Sequence, residues 1–219
     1  MKVYTYNDKV LVNSANDKWL KKVDGPIVLS PFTIRIEFNN ISNISTSATV
    51  TQVSDNIYDI TYNNTSWSNL ISYTWAPINV TVPANSIGTA RIIAANTTGV
   101  TNLYRAFVGF YKESDSSQLK FIGDVPLFDT SSVTNFSDVF SGDITNIPDF
   151  DVSSVTNCSY AFSGCTKVES GALNLYQKLS ALGAQVTNYN SCFNNCGRDT
   201  VTGAAELAQI PTSWGGTAS

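Results

Sequence analysis

The sequence predicts an α+β protein: a small antiparallel β unit followed by a short leucine-rich-repeat-like solenoid with short strands and short helices. Two features predict it. Val-Thr-Asn occurs four times, at 100–102, 133–135, 155–157 and 186–188, and a Phe follows at the same offset each time, as Phe107, Phe140, Phe162 and Phe193. The stretch before these copies alternates short β-branched runs with Asn, Ser and Pro turns, a strand pattern. Together they divide the chain into an extended arm (1–25), a β-rich unit (26–90) and a repeat domain with a C-terminal cap (91–219).

The arm alternates apolar and polar residues, and its apolar run is too short for a secretory signal. That predicts a protein that stays inside the producing cell or leaves it without a signal, as by lysis. Two readings of the arm stand side by side. It is an edge strand of the neighbouring sheet, or it docks onto a larger assembly with Tyr4, Tyr6, Val10, Leu11, Trp19 and Leu20 as the anchor. In the β-rich unit, strands are expected at Ile27–Leu29, Phe32–Phe38, Ala48–Thr51, Ile57–Tyr62 and Ile78–Val82, forming a small antiparallel unit that covers the first repeat.

The repeat is clearest where DVPLFDTSSVTNFSDVFSGDIT from Asp124 aligns with NIPDFDVSSVTNCSYAFSGCTK from Asn146, a shift of 22 residues. Periods of about 20 to 29 residues belong to leucine-rich repeats. Apolar residues follow each Asn at i, i+3 and i+4 (Leu103/Ala106/Phe107, Phe136/Val139/Phe140, Cys158/Ala161/Phe162, Tyr189/Cys192/Phe193), the spacing of one helix face. On this reading the Thr of each copy is an N-cap, and Gly109, Gly142, Gly164 and Asn195 end the helices in left-handed geometry. Val125–Phe128 and Ile147–Phe150 are at most minimal strands. A longer helix is expected over GALNLYQKLSAL, 171–182. The repeat core comprises Val100, Phe107, Val133, Phe140, Val155, Phe162, Val186 and Phe193.

Charged residues are 14% of the chain, well under the roughly 25% of an average soluble domain, so Ser, Thr and Asn supply the polar surface. A net charge of -4 with no basic stripe argues against nucleic acid, and no stretch is long enough to span a membrane. The absence of histidine removes Ser-His-Asp and Cys-His catalysis and every His-dependent zinc site. Cys158, Cys165, Cys192 and Cys196 lack zinc-knuckle spacing and occupy apolar repeat slots, which makes them small buried hydrophobes; whether Cys165 and Cys196 form a disulfide is left open. Asp129 and Asp151 recur before Ser-Ser as turn formers, and Asp149 does not recur, so no catalytic carboxylate pair is assigned. Residues 112–117 are expected to be a solvated tip. Trp19, Trp67, Trp75 and Trp214 are expected in core and interface packing, with sugar stacking as the competing reading. No catalytic residue, metal or cofactor is assigned.

The stretches FDTSSVTNFSDVFSG and FDVSSVTNCSYAFSGC, with the ending CTKVESGALNLYQKLSALG…NCGRDTVTGAAELAQIPTSWGG, closely resemble BspA-like leucine-rich repeats of gut Bacteroides over about Ala90 to Gly216. Where that family usually has Met, this chain has Phe136 and Val139, or Cys158 and Ala161. Many members are secreted adhesins for host proteins or glycans, and similar modules occur in structural genes of Bacteroides and crAss-like phages. The resemblance therefore implies a non-enzymatic virion structural or decoration protein, capsid- or tail-associated. Its partners would be other virion proteins in an oligomeric assembly, and a host-surface protein or glycan. The alternative it implies is a BspA-like adhesin on the bacterial cell surface.

Overall fold

Strands form where β-branched residues alternate. The computed structural model describes residues 2–6, 9–13, 21–24 and 29–218, with side chains from residue 29 onward. The N-terminal segment carries β1 (Lys2–Tyr6), β2 (Lys9–Asn13) and β3 (Lys21–Asp24), which pair antiparallel with one another. Register sets Tyr4 opposite Leu11, Tyr6 opposite Lys9, and Val10 opposite Thr5 and Val23. Trp19, Leu20, Ile27 and Val28 lie outside the described residues.

Seven strands follow: β4 (Thr33–Asn39), β5 (Asn43–Thr46), β6 (Thr49–Ser54), β7 (Ile57–Thr61), β8 (Ile71–Ser72), β9 (Ile78–Thr81) and β10 (Ile87–Asn96). In β4 the alternate residues Ile34, Ile36 and Phe38 are buried on one face. Arg35, buried on the other, makes a two-pronged ion pair with Asp59 directly across on β7, at 2.6 and 2.7 Å. In the C-terminal part come β11 (Phe107–Val108), β12 (Phe110–Lys112), β13 (Ser117–Gly123), β14 (Phe140–Ile144), α1 (Ala172–Ala181) and α2 (Val201–Leu207). The helix expected over 171–182 is α1, with Ala172, Leu175 and Leu179 buried. Glu206 of α2 accepts from the Gly171 and Leu173 N–H groups, a carboxylate at the positive end of α1.

Eight strands join in one mixed sheet, in the order β11-β14-β13-β10-β4-β7-β6 with β12 on β13. The ten-residue β10 is the seam, antiparallel to β4 on one side and parallel to β13 on the other. A second sheet, β5-β9-β8, packs beside it. One continuous core spans both, from Ile34 and Trp67 through the Phe residues of the repeats to Ile210.

This corrects the expected fold class. The chain is mostly β, with 34% strand against 12% helix, and not an α+β protein with a leucine-rich-repeat-like solenoid. The β-rich unit is not a separate antiparallel module, because β4, β6, β7 and β10 are part of the large mixed sheet and only β5, β8 and β9 form the second one. Among the described residues the two α-helices lie C-terminal to Gly171, and none directly follows a Val-Thr-Asn copy. The reason lies in one backbone angle. The third residue after each Asn is left-handed: Arg105 (φ 53°), Asp138 (49°), Tyr160 (56°) and Ser191 (54°). A left-handed residue ends a right-handed helix after one turn, so the i, i+3, i+4 apolar spacing is met by a tight turn, with Ala106 N–H on Leu103 O at 3.0 Å. Gly142, Gly164 and Asn195 do have positive φ, but Gly142 lies within β14 and the other two in turns, with no helix directly before them. Gly109 is needed for a different reason: a Cβ there would sit 2.0 Å from Leu119 O.

Substitution of Arg105 by Gly separates turn from helix. At a left-handed position Gly relieves strain and raises stability by about 1 kcal/mol, whereas in a helix it would lower it by about 1 kcal/mol. The midpoint of urea unfolding distinguishes the two signs.

Candidate functional site

The polar residues of the repeat hold each copy to the next. Parallel bridges run Ser66–Asn102–Asn135–Asn157–Asn188 in a single column. Leu103, Phe136 and Cys158 donate their N–H groups to the Asn carbonyl of the following copy at 2.8–2.9 Å. The Thr residues are not N-caps. Thr101, Thr134, Thr156 and Thr187 each donate a hydroxyl to the carbonyl of Thr65, Thr101, Thr134 and Thr156 in turn, all at 3.2 Å. The local turn belongs to the Asn side chain instead: Oδ1 of Asn102, Asn135 and Asn157 accepts the N–H two residues on, at 3.0–3.2 Å. The column also shows a copy that the sequence reading missed, Thr65-Ser66-Trp67-Ser68-Asn69-Leu70-Ile71, with Asn69 at the left-handed position (φ 49°). Its signal was the apolar spacing of Trp67, Leu70 and Ile71, hidden by the absence of Val-Thr-Asn.

Val100, Val133, Val155 and Val186 are buried, and the recurrent Phe residues form a ladder inside the stack. Phe107–Phe140, Phe140–Phe162 and Phe162–Phe193 have ring centroids 5.1, 5.5 and 6.1 Å apart, at 30°, 19° and 7°. Trp214 closes the far end, with its carbonyl on Phe193 N–H and its ring 4.3 Å from Tyr189. All four cysteines are buried and free, and no disulfide links Cys165 to Cys196. Trp67 and Trp214 serve packing, as expected, whereas Trp75 is 97% exposed.

Trp75 stands over a groove of about 450 Å³ at the N-terminal end of the stack, between the 72–76 loop and β11–β12. Tyr73 packs edge-on against Phe110 at 5.3 Å, and Tyr73, Trp75 and Tyr111 are all exposed. A second hollow of about 320 Å³ shares Gly109, Phe110 and Tyr111 with the first and continues to Gly142 and Gly164. Tyr111 had no repeat signal, since it lies in the insertion between copies.

A family model described as Mycoplasma protein of unknown function, DUF285, matches residues 84–200, more than half of the 219. The chain belongs to this family. DUF285 chains are BspA-like repeat proteins, and the match begins three residues before β10 and ends at the N-cap of α2. No curated protein and no solved structure matches the chain. Among the described residues of this DUF285 chain, no group of three His, Cys, Asp or Glu side chains is placed to hold a metal, and no helix is long and apolar enough to cross a membrane.

Its carboxylates serve turns and joints. Asp129 accepts from Ser131 Oγ and N–H, and Asp151 from Ser153 N–H, which holds both acids below their ordinary pKa. Asp149 joins Lys178 and Asn174 of α1, each at 2.6 Å, and is lowered chiefly by the Lys178 bond. In the 112–117 turn between β12 and β13, hydrogen bonds from Lys112 and Ser117 hold Asp115 down at about 2. Asp138 goes the other way, raised by burial and partly offset by Arg105. Burial pushes the Cys165 thiol up to about 12 and raises Cys192 and Cys196 as well.

These shifts have opposite consequences with pH. A depressed carboxylate stabilises the fold above its unfolded pKa, and that contribution is lost as pH falls through the folded value. Stability therefore declines as pH falls from the ordinary value of 3.8 to about 2, the window of Asp115, with Asp129, Asp149 and Asp151 acting in the same direction, whereas Asp138, raised instead, acts with the opposite sign and above 3.8. Urea midpoints measured across that range check the sign. At about pH 8, where a free thiol is partly ionised, a disulfide reagent is expected to label none of the four buried cysteines in the native protein and all four after guanidinium unfolding.

Proposed function

We propose that this protein is a non-enzymatic structural component of a bacteriophage particle of the gut Bacteroides type, attached to capsid or tail and presenting its stacked repeats outward. The observation that carries the reading is a division of labour along the chain. Among the described residues strands β1–β3 pair with one another and with no other strand, while the recurrent Thr and Asn groups are engaged in holding copy to copy. A small self-paired sheet suits attachment to a neighbouring subunit, with Tyr4, Tyr6, Val10 and Leu11 on its first two strands. A stack whose carboxylates are tied into turns and ion pairs suits display more than catalysis. The repeat motif that resembles phage-borne BspA-like modules, FDTSSVTNFSDVFSG, lies in the middle of that stack. The second reading, an adhesin on a bacterial cell surface, is favoured by the exposed rings of the Trp75 groove.

Mass spectrometry of purified virions is expected to find the protein, and deletion of residues 1–23 to abolish its incorporation while the remainder keeps its circular dichroism. Normal incorporation of the truncated chain would sink the anchoring role. Recovery from the bacterial envelope and never from particles would favour the adhesin.

A further inference from the structure

Two features of Trp75 have no role in the stack. An indole left 97% exposed forgoes the roughly 25 cal/mol per Å² that burial of apolar area returns. It also sits at φ 61°, a left-handed angle that a bulky residue adopts only when its surroundings impose it. Asn79 of β9 grips the next residue twice, accepting from Ala76 N–H at 3.2 Å and donating to Ala76 O at 2.9 Å, and Pro77 O takes the Ser47 N–H at 3.2 Å. The ring is therefore presented by a loop braced from behind. Such a strained and exposed aromatic residue points to a ligand, because nothing within the fold gains from it.

The chemistry of the groove selects the class of ligand. Trp75, Tyr73 and Tyr111 offer exposed aromatic faces, which stack against the C–H faces of a sugar ring. Asn69, Ser72 and Thr74 line the same space with neutral amide and hydroxyl groups suited to sugar hydroxyls. Charge is nearly absent. Arg105 is the one charged side chain lining the first hollow and has Asp138 beside it, while in the second Lys120 and Asp143 pair with each other at 3.6 Å. A phosphate or acidic ligand would find no surplus of positive charge. Each hollow, at about 450 and 320 Å³, falls within the roughly 300–1,000 Å³ range of small-ligand sites. The continuation of the first over Gly109 into the second, past Tyr111, suits a ligand longer than one ring.

We infer that this groove binds a neutral oligosaccharide, with Trp75 as the principal stacking platform and Tyr111 as a second ring between the two hollows. The inference goes beyond the virion reading and holds equally for an adhesin, since it rests on the groove alone.

The test is titration of the full chain, by calorimetry and by tryptophan fluorescence, with linear hexasaccharides of glucose, mannose, galactose, xylose and N-acetylglucosamine. Oligogalacturonate, ATP and a proline-rich peptide complete the set. At least one neutral hexasaccharide is expected to bind and to change the fluorescence of Trp75. Trp75→Ala is expected to weaken it by roughly tenfold or more, the loss of about 1.4 kcal/mol, Tyr111→Ala to weaken it less, and Trp75→Phe to keep most of the affinity. Because Trp75 is exposed, the urea midpoint of Trp75→Ala should match the parent. The inference is overturned if no neutral hexasaccharide binds at millimolar concentration, if binding is indifferent to Trp75→Ala, or if only the oligogalacturonate, nucleotide or peptide binds. Virion content does not enter this readout: a chain absent from particles that still binds a hexasaccharide keeps the groove and loses the virion role.

Discussion

The structure depends on the pairing of backbone hydrogen bonds from one repeat copy to the next. A buried N–H or carbonyl left without a partner costs more than a typical hydrogen bond contributes, so a chain with little regular helix or strand has to satisfy those groups elsewhere. Here the copy below supplies the partner. The Asn column from Ser66 to Asn188 registers the copies, the Thr hydroxyls reinforce each step, and among the described residues no buried side-chain N or O lacks a hydrogen bond. The left-handed residue in each copy turns the chain so that its N–H groups face the neighbour instead of closing a helix. With register set this way, the Phe residues have to superpose, and the ladder from Phe107 to Phe193 follows from it.

The two ends of such a stack expose unpaired backbone and apolar surface, and the chain deals with each differently. At the C-terminal end, Trp214 answers Phe193, and α1 and α2 close over Val168 and Ile210, with Glu206 tying the first turn of α1 to α2. At the N-terminal end, the copy built on Trp67 is followed by β8, and β10 carries the large sheet from the repeats into β4 and β7. The groove lies at this end, where the 72–76 loop departs from the stack. Its aromatic residues are free for a ligand because Trp67, Leu70 and Ile71 already fill the core positions of that copy.

Cysteine and aspartate show how residue types associated with chemistry are absorbed by packing. Cys158, Cys165, Cys192 and Cys196 fill interior slots where their raised pKa values keep the thiols protonated at Cys165, Cys192 and Cys196. Asp129 and Asp151 shape the turns that feed each copy, and Asp149 fixes α1 to the repeat before it. For the cysteines and for Asp129 and Asp151, recurrence within the chain was the informative sign. A residue that reappears at the same step of successive copies answers to the geometry of the stack.

What the sequence determined by itself was the repeat, its period, its buried Val and Phe positions, the turn role of Asp129 and Asp151, helix α1, and the strands that became β4, β6, β7 and β9. These are legible because each depends on local pattern: alternation, recurrence, or apolar spacing along one segment. Tertiary structure alone decided three things. The i, i+3, i+4 spacing after each Asn is compatible with a helix turn and with a left-handed tight turn, and the choice fell to the neighbouring copy, whose carbonyls were available to take the N–H groups. The join at β10 depends on β4 and β13, distant in the chain, lying on its two sides, which no local window contains. The exposure of Trp75 was hidden for the same reason: a tryptophan is buried or presented according to what packs around it, and Trp67 had already filled the core position of that copy.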